Sequence, residues 1–116
     1  MTVVRNASLL ALAPLAACWT MPALAQAEFT GAGEHSEMDC DGGSATIEGA
    51  SNTLVIHGPC TALNVTGAGN IITIDLAEKS LIRIEGASNQ IQWSAPGAAK
   101  PRISVVGAAN RISRRR

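Results

Sequence analysis

The tetrapeptide Gly-Ala-x-Asn occurs four times in this chain, as Gly49-Ala50-Ser51-Asn52, Gly67-Ala68-Gly69-Asn70, Gly86-Ala87-Ser88-Asn89 and Gly107-Ala108-Ala109-Asn110. Successive glycines are 18, 19 and 21 residues apart, and a near-constant period of that size marks a repeat architecture. An alternating run precedes each tetrapeptide: Ser44 to Glu48, Ala62 to Thr66, Leu81 to Glu85 and Arg102 to Val106. A second follows it: Thr53 to His57, Ile71 to Asp75, Gln90 to Ser94 and the shorter Arg111 to Ser113. Alternation with β-branched residues is the signature of strands with one face buried and one wet. The inward set is then Ala45 and Ile47, Leu54 and Ile56, Leu63 and Val65, Ile72 and Ile74, Ile82 and Ile84, Ile91 and Trp93, Ile103 and Val105, and Ile112. Each of these, fully buried, contributes about 1.5–3 kcal/mol, with Ala45 and Ile112 contributing less.

Glycine at the first turn position permits a tight corner with φ above zero, and Asn at the fourth can bond local backbone or tolerate the left-handed conformation. If coils stack, the Asn side chains align and can bond from rung to rung. One coil cannot bury its own apolar face, so coils must stack. The favoured fold is therefore all-β, a small parallel β-solenoid of about four short coils. The rival is an antiparallel meander in which each tetrapeptide closes a hairpin.

A leading Cys40-Asp41-Gly42-Gly43, a second cysteine one coil later at Cys60, and the recurrent Gly-Ala-x-Asn together resemble the secreted bacterial family of unknown function DUF3060. The resemblance runs from about residue 38 to residue 113. It implies a bacterial exported protein with a solenoid-like fold and no assigned activity, and it carries over no catalytic residue.

The first 25 residues read as a signal peptide: Arg5 in a short charged region, an apolar run from Ala7 to about Cys18, then small-x-small cleavage sites at Ala23-Leu24-Ala25 and Ala25-Gln26-Ala27. The apolar run is too short to span a membrane, and nothing later is apolar enough. The protein is expected to be periplasmic or secreted. An alternative is lipid anchoring, because Leu15-Ala16-Ala17-Cys18 resembles a lipobox with Cys18 as the acylated residue. Against it, Trp19 to Leu24 stays apolar where a polar tether would be expected.

Two cysteines then remain, and an even pair in a small exported domain points to a Cys40–Cys60 disulfide. In the coil register they occupy similar points of neighbouring coils, and stacked strands lie about 4.8 Å apart. That spacing is compatible with a disulfide. Two thiols without a clustered partner do not fill a tetrahedral metal site, so no metal and no cofactor is expected.

Residues 26–39 are expected to form a flexible acidic leader, residues 40–113 the repeat domain and residues 114–116 a basic tail. Pro96 and Pro101 interrupt the third coil and mark a protruding loop. Nine Lys and Arg balance nine Asp and Glu, but unevenly along the chain. Six acids and no base lie between Glu28 and Glu48, and six bases and no acid between Lys100 and Arg116. In a solenoid sequence order is axial order, so one end is acidic and the other basic. Three uses follow: protection of open strand edges, an anionic envelope partner for Arg114, Arg115 and Arg116, or head-to-tail self-association. A near-neutral domain with three terminal arginines has no nucleic-acid footprint.

Catalytic signals are sparse. The histidines are His35 and His57, and His57 shares an outward column with Asp75 and Ser94. A flat wet strand face supplies neither an oxyanion site nor water exclusion. Outward Glu48 and Glu85 share a column with Thr66 between them, but the sugar-stacking aromatics of a glycan enzyme are missing from this face. Residues 67–75 only loosely resemble a calcium nonapeptide, and no phosphate-cradling loop is present. The reading is a non-catalytic structural or binding module of the envelope, with a glycan-acting enzyme or enzyme accessory as the alternative.

Overall fold

The computed structural model describes residues 26–115. The expected signal peptide with Cys18, and Arg116 at the other end, lie outside the described residues. The chain forms eight strands: β1 (Gln26–Ala32), β2 (His35–Asp39), β3 (Ser44–Ala50), β4 (Thr53–Ala68), β5 (Ile71–Ala87), β6 (Gln90–Ser94), β7 (Arg102–Ala108) and β8 (Arg111–Arg114). All strand pairings are parallel. A meander would pair its neighbours antiparallel, so the solenoid is the fold.

Each coil has two sides meeting at a Gly-Ala-x-Asn corner. The long strands β4 and β5 each carry the second side of one coil around the opposite corner into the first side of the next. Like residues stack on like: Gly31, Gly49, Gly67, Gly86 and Gly107 form one column, and the alanines that follow them form the next.

The solenoid has about five turns, one more than the four repeats imply. Residues 26–39, expected as a flexible leader, supply the extra coil: β1 lies in register on β3, and β2 on the second side below it. Its corner is Gly31-Ala32-Gly33-Glu34, with Glu34 in the Asn position. The segment pairs because it keeps the alternation, with Ala27 buried and Phe29 and Met38 packed against the core. The basic tail is also shorter than expected, since Arg114 belongs to β8 and the Arg115 backbone donates to the Trp93 carbonyl at 2.6 Å.

The inward columns fill the core as the alternation predicts from Ala45 to Trp93. Ile103 and Val105 depart from it, at 48% and 40% exposure. They stand on the inward columns above Ile82 and Ile84, but β7 and β8 form the last described coil, and no further coil covers them among the described residues. Between Ser94 and Arg102 the chain leaves the coil in a loop turned by an Ala99 to Pro96 hydrogen bond of 3.1 Å.

Two contacts set the corner geometry. Gly49, Gly67, Gly86 and Gly107 have φ between 129° and 142°, which strains any residue with a Cβ. A Cβ on Gly67 would also fall on the carbonyl oxygen of Gly49 one coil below. The left-handed residue is the third of each corner, Ser51 (59°), Gly69 (67°), Ser88 (59°) and Ala109 (60°). The Asn that follows is thereby freed from the left-handed role the sequence allowed it, and its side chain turns into the core.

Gly67→Ala is accordingly expected to lower stability by about 3 kcal/mol or more, from backbone strain and overlap together. Gly97→Ala, at a loop position with φ 55° and open space around it, is expected to cost about 1–2 kcal/mol. Urea unfolding of the two variants checks the difference, and equal losses would contradict the close-approach account.

Candidate functional site

Two columns of hydrogen-bonded polar side chains run through the described residues, the Asn column inside the first corner and the outward column beside the second corner. In the first, Asn52, Asn70 and Asn89 are fully buried. Nδ2 of Asn52 donates to Oδ1 of Asn70 at 3.1 Å, Asn70 to Asn89 at 3.0 Å, and Asn89 to Asn110 at 3.0 Å. The backbone N–H of Asn52, Asn70 and Asn89 donates to the same oxygens at 3.0–3.1 Å. The other amide hydrogen goes to the corner glycine one coil below: Asn70 to the Gly49 carbonyl and Asn89 to that of Gly67, each at 3.0 Å. Each interior amide thus spends both hydrogens and accepts two bonds, which satisfies a buried polar group. Glu34 joins the column only through its backbone, whose N–H donates to Asn52 Oδ1 at 3.1 Å.

The second corner carries the disulfide. Cys40 and Cys60 are both fully buried with Cα atoms 5.6 Å apart, and the bond joins two successive passages around this corner, as the register predicts. Cys40 N–H donates to the His57 carbonyl at 3.0 Å, so the staple also fixes the end of the strand side that bears His57.

His57, Asp75 and Ser94 stand on this outward column but do not form a relay. His57 Nε2 pairs with Glu37 Oε1 of β2 at 2.9 Å, and both groups are well exposed. Ser94 Oγ donates to Asp75 Oδ1 at 2.7 Å. Arg115 donates to that same carboxylate oxygen at 2.7 Å and to Ser94 Oγ at 3.2 Å. The serine hydrogen faces a carboxylate already engaged by a guanidinium, and the imidazole is held by a different acid. Nucleophile activation needs base and nucleophile in one hydrogen-bonded pair. The nearby depression, about 310 Å³ between Pro59, Leu76, Ser94 and Pro96, is wide open to solvent.

The hydrogen bond to Glu37 raises the His57 pKa from its ordinary value of 6.5, helped by the charges of Glu37, Asp75 and Asp39 and outweighing the opposing desolvation. Glu48 and Glu85 lie on the exposed column with Thr66 between them, pointing away from the core on a flat side. Arg114 and Arg115 are bound within the chain. The Arg114 guanidinium lies 5.2 Å from the Trp93 ring centroid and donates to the carbonyls of Ala95 and Gly97 at 3.1 and 2.6 Å. These contacts compete with any external anion.

Sequence reasoning missed the place of Glu34 and the first coil. The signal was present in Gly31-Ala32-Gly33, 18 residues before the next corner, but the substitution of Asn by Glu hid it. Among the described residues no helix is long and apolar enough to cross a membrane. A family model described as a protein of unknown function, DUF3060, matches residues 47–108. That span runs from the middle of β3 to the end of β7. No curated protein and no solved structure matches the chain at a significant level.

The pair His57–Glu37 makes a signed pH prediction. A raised folded-state pKa means that the contribution of the pair is fully present below pH 6.5 and is lost as pH rises through the folded value. In Glu37→Gln, NMR titration of the His57 ring is expected to show the midpoint falling back toward 6.5. An unchanged midpoint would show that Glu37 does not hold the imidazole.

Proposed function

The chain belongs to the DUF3060 family, and on that footing we propose that it is an exported, non-catalytic module of the bacterial envelope, presenting a rigid β surface as a structural or binding element. The observation that carries this reading is the fully buried Cys40–Cys60 bond. Disulfides persist in oxidising compartments and are uncommon in reducing cytosol. A staple closed over a sequence separation of 20 residues stabilises by about 3 kcal/mol in the chain-entropy model. For a domain with so small a core that is a large share of the total. The apolar run and small-x-small sites of residues 1–25 agree with export.

The non-catalytic part of the reading is supported by how the polar side chains are spent. Asn amides serve the stacking of coils, Ser94, Asp75 and Arg115 bind one another, and His57 is held by Glu37. The outward columns are left as flat mixed faces suited to contact with another surface. A glycan-acting enzyme would need carboxylates converging on a groove. Glu48 and Glu85 stand parallel on an open side, so that alternative gains no support from the fold.

The test is the intact mass of the protein isolated from its native host, taken with and without reduction after free thiols are alkylated. A polypeptide beginning at Gln26 or Glu28, with two thiols appearing only on reduction, is the expected result. A diacyl or triacyl mass on Cys18 would replace the free periplasmic or secreted protein by a lipid-anchored one. An uncleaved chain with reduced Cys40 and Cys60 would overturn export.

A further inference from the structure

The two ends of the described solenoid are complementary to each other, and we propose that the basic, C-terminal end binds the acidic, N-terminal end of a second copy, adding coil upon coil in the register used inside the chain. The columns are continuous from β1 to β7 and from β2 to β8. The next coil above β7 and β8 would therefore take its place on Gly107 with a glycine, and on Asn110 with a corner residue able to accept hydrogen bonds. The first coil of a second copy offers Gly31 and Glu34 at those positions. This is strand addition to an exposed edge, in which backbone bonds supply attraction and side-chain columns supply register.

Three observations favour a second copy over another partner. The first is charge. The terminal coil bears Arg102, Arg111 and Arg115 on or beside its edge, and the first coil bears Glu28, Glu37 and Asp39. In the continued register Arg111 lies diagonal to Glu37 and Arg102 diagonal to Glu28, while Arg115, which would meet Asp39, already holds Asp75 and would share its charge between the two carboxylates. Opposite charges opposite or diagonal across strands are favourable. The second is apolar surface. Ile103 and Val105 are 48% and 40% exposed on the inward columns, and the residues the register brings over them are Ala27 and Phe29, themselves inward-facing. Both pairs would extend the core beyond the last described coil.

The third is the Asn ladder. Each interior Asn gives its backbone N–H and one amide hydrogen to the next Asn oxygen, and among the described residues no further Asn stands above Asn110. Glu34 is exposed, and its carboxylate already curls over its own Gly31, as the Asn52 amide does over Gly49. One carboxylate can accept both Asn110 hydrogens. It has no hydrogen to give the Gly107 carbonyl, which an Asn would serve. A joint between copies is thus one hydrogen bond poorer than a step within the chain, which suits a reversible association rather than a permanent one. Because the contact is heterologous and its axis is that of the solenoid, it does not close, and repeated use gives a filament.

The proposal leans on the export reading only in that residues before Gln26 are taken as removed; cleavage before Glu28 would also remove Ala27 and leave Phe29 on Val105 as the apolar contact. The test uses protein expressed from the full-length sequence and taken as the exporting cell processes it, with intact mass read on the same sample so that failed cleavage and failed association are scored separately. Sedimentation velocity over a concentration series is expected to show growth from monomer to dimer and longer species. Glu34→Lys, which removes the acceptor and places a cation against the basic end, is expected to remain monomeric. Ile103→Lys at the other end, a half-exposed site that tolerates a polar side chain, is expected to do the same. Val105→Lys serves as the second variant at that end should Ile103→Lys fail to fold.

Mixing Glu34→Lys with Ile103→Lys is the decisive arm. Each retains one good end, so an equimolar mixture is expected to form dimers and nothing longer. A wild-type chain whose mass shows cleavage and which stays monomeric throughout overturns the proposal and leaves the terminal charges as edge protection. Association that survives in either single variant, or a mixture that stays monomeric, overturns it as well.

Discussion

Everything in this structure depends on how closely one coil can approach the next at the corner. The glycine column lets the backbone of each coil sit against the carbonyl of the coil below, and the Asn column then bonds the two. Neither works alone. With a Cβ in place of the glycine hydrogen the carbonyl is displaced, and the Asn amide loses the acceptor that takes its second hydrogen. Without the Asn the tight corner leaves buried carbonyl and N–H groups unpaired, at a cost of about 1–3 kcal/mol for each. The flat apolar sides follow from this corner, since strands held in register on either side of it place one β-branched or leucine side chain on another, as Ile72 on Leu54 and Ile84 on Val65.

The same constraint explains how polar chemistry is distributed. A coil of about 18 to 21 residues has two short sides and two corners, and the inward half of each side is spent on a single core. What remains outward is a ladder of side chains at a regular spacing, each with neighbours directly above and below. Such columns pair with themselves, as Ser94 does with Asp75. A concave site requires a loop that leaves the coil and folds back. The chain does this at the 94–101 loop, where a shallow depression lies between Glu78, Lys79 and the turn at Pro96 to Ala99.

Much of the fold was legible in the sequence because the repeat states it several times. The alternation gave the facing of residues from Ala45 to Trp93, and the spacing of Cys40 and Cys60 gave the staple. Three things escaped for identifiable physical reasons. The first coil reads as a leader because Glu34 replaces the Asn that closes the other four corners. Ile103 and Val105 stand on the columns that the alternation predicts, but exposure at an end depends on what lies above, and periodicity within a strand is silent about that. The fates of His57, Ser94 and Arg115 were illegible because a shared column sets neighbourhood and not partner. Glu37, on a strand that was not foreseen, takes the imidazole, and Arg115, expected in a free tail, takes Asp75.

The corner account is tested most directly by native-state hydrogen exchange on the 15N-labelled protein, read at the backbone and side-chain amides of Asn70. If the Asn ladder joins the coils, both exchange only on global or near-global opening and are among the slowest in the chain, far slower than the backbone amides of Gly97 and Ala98 in the loop. Exchange of the Asn70 amides at the rate of those loop amides would contradict the account, because the corner would then open freely while the coils remain stacked.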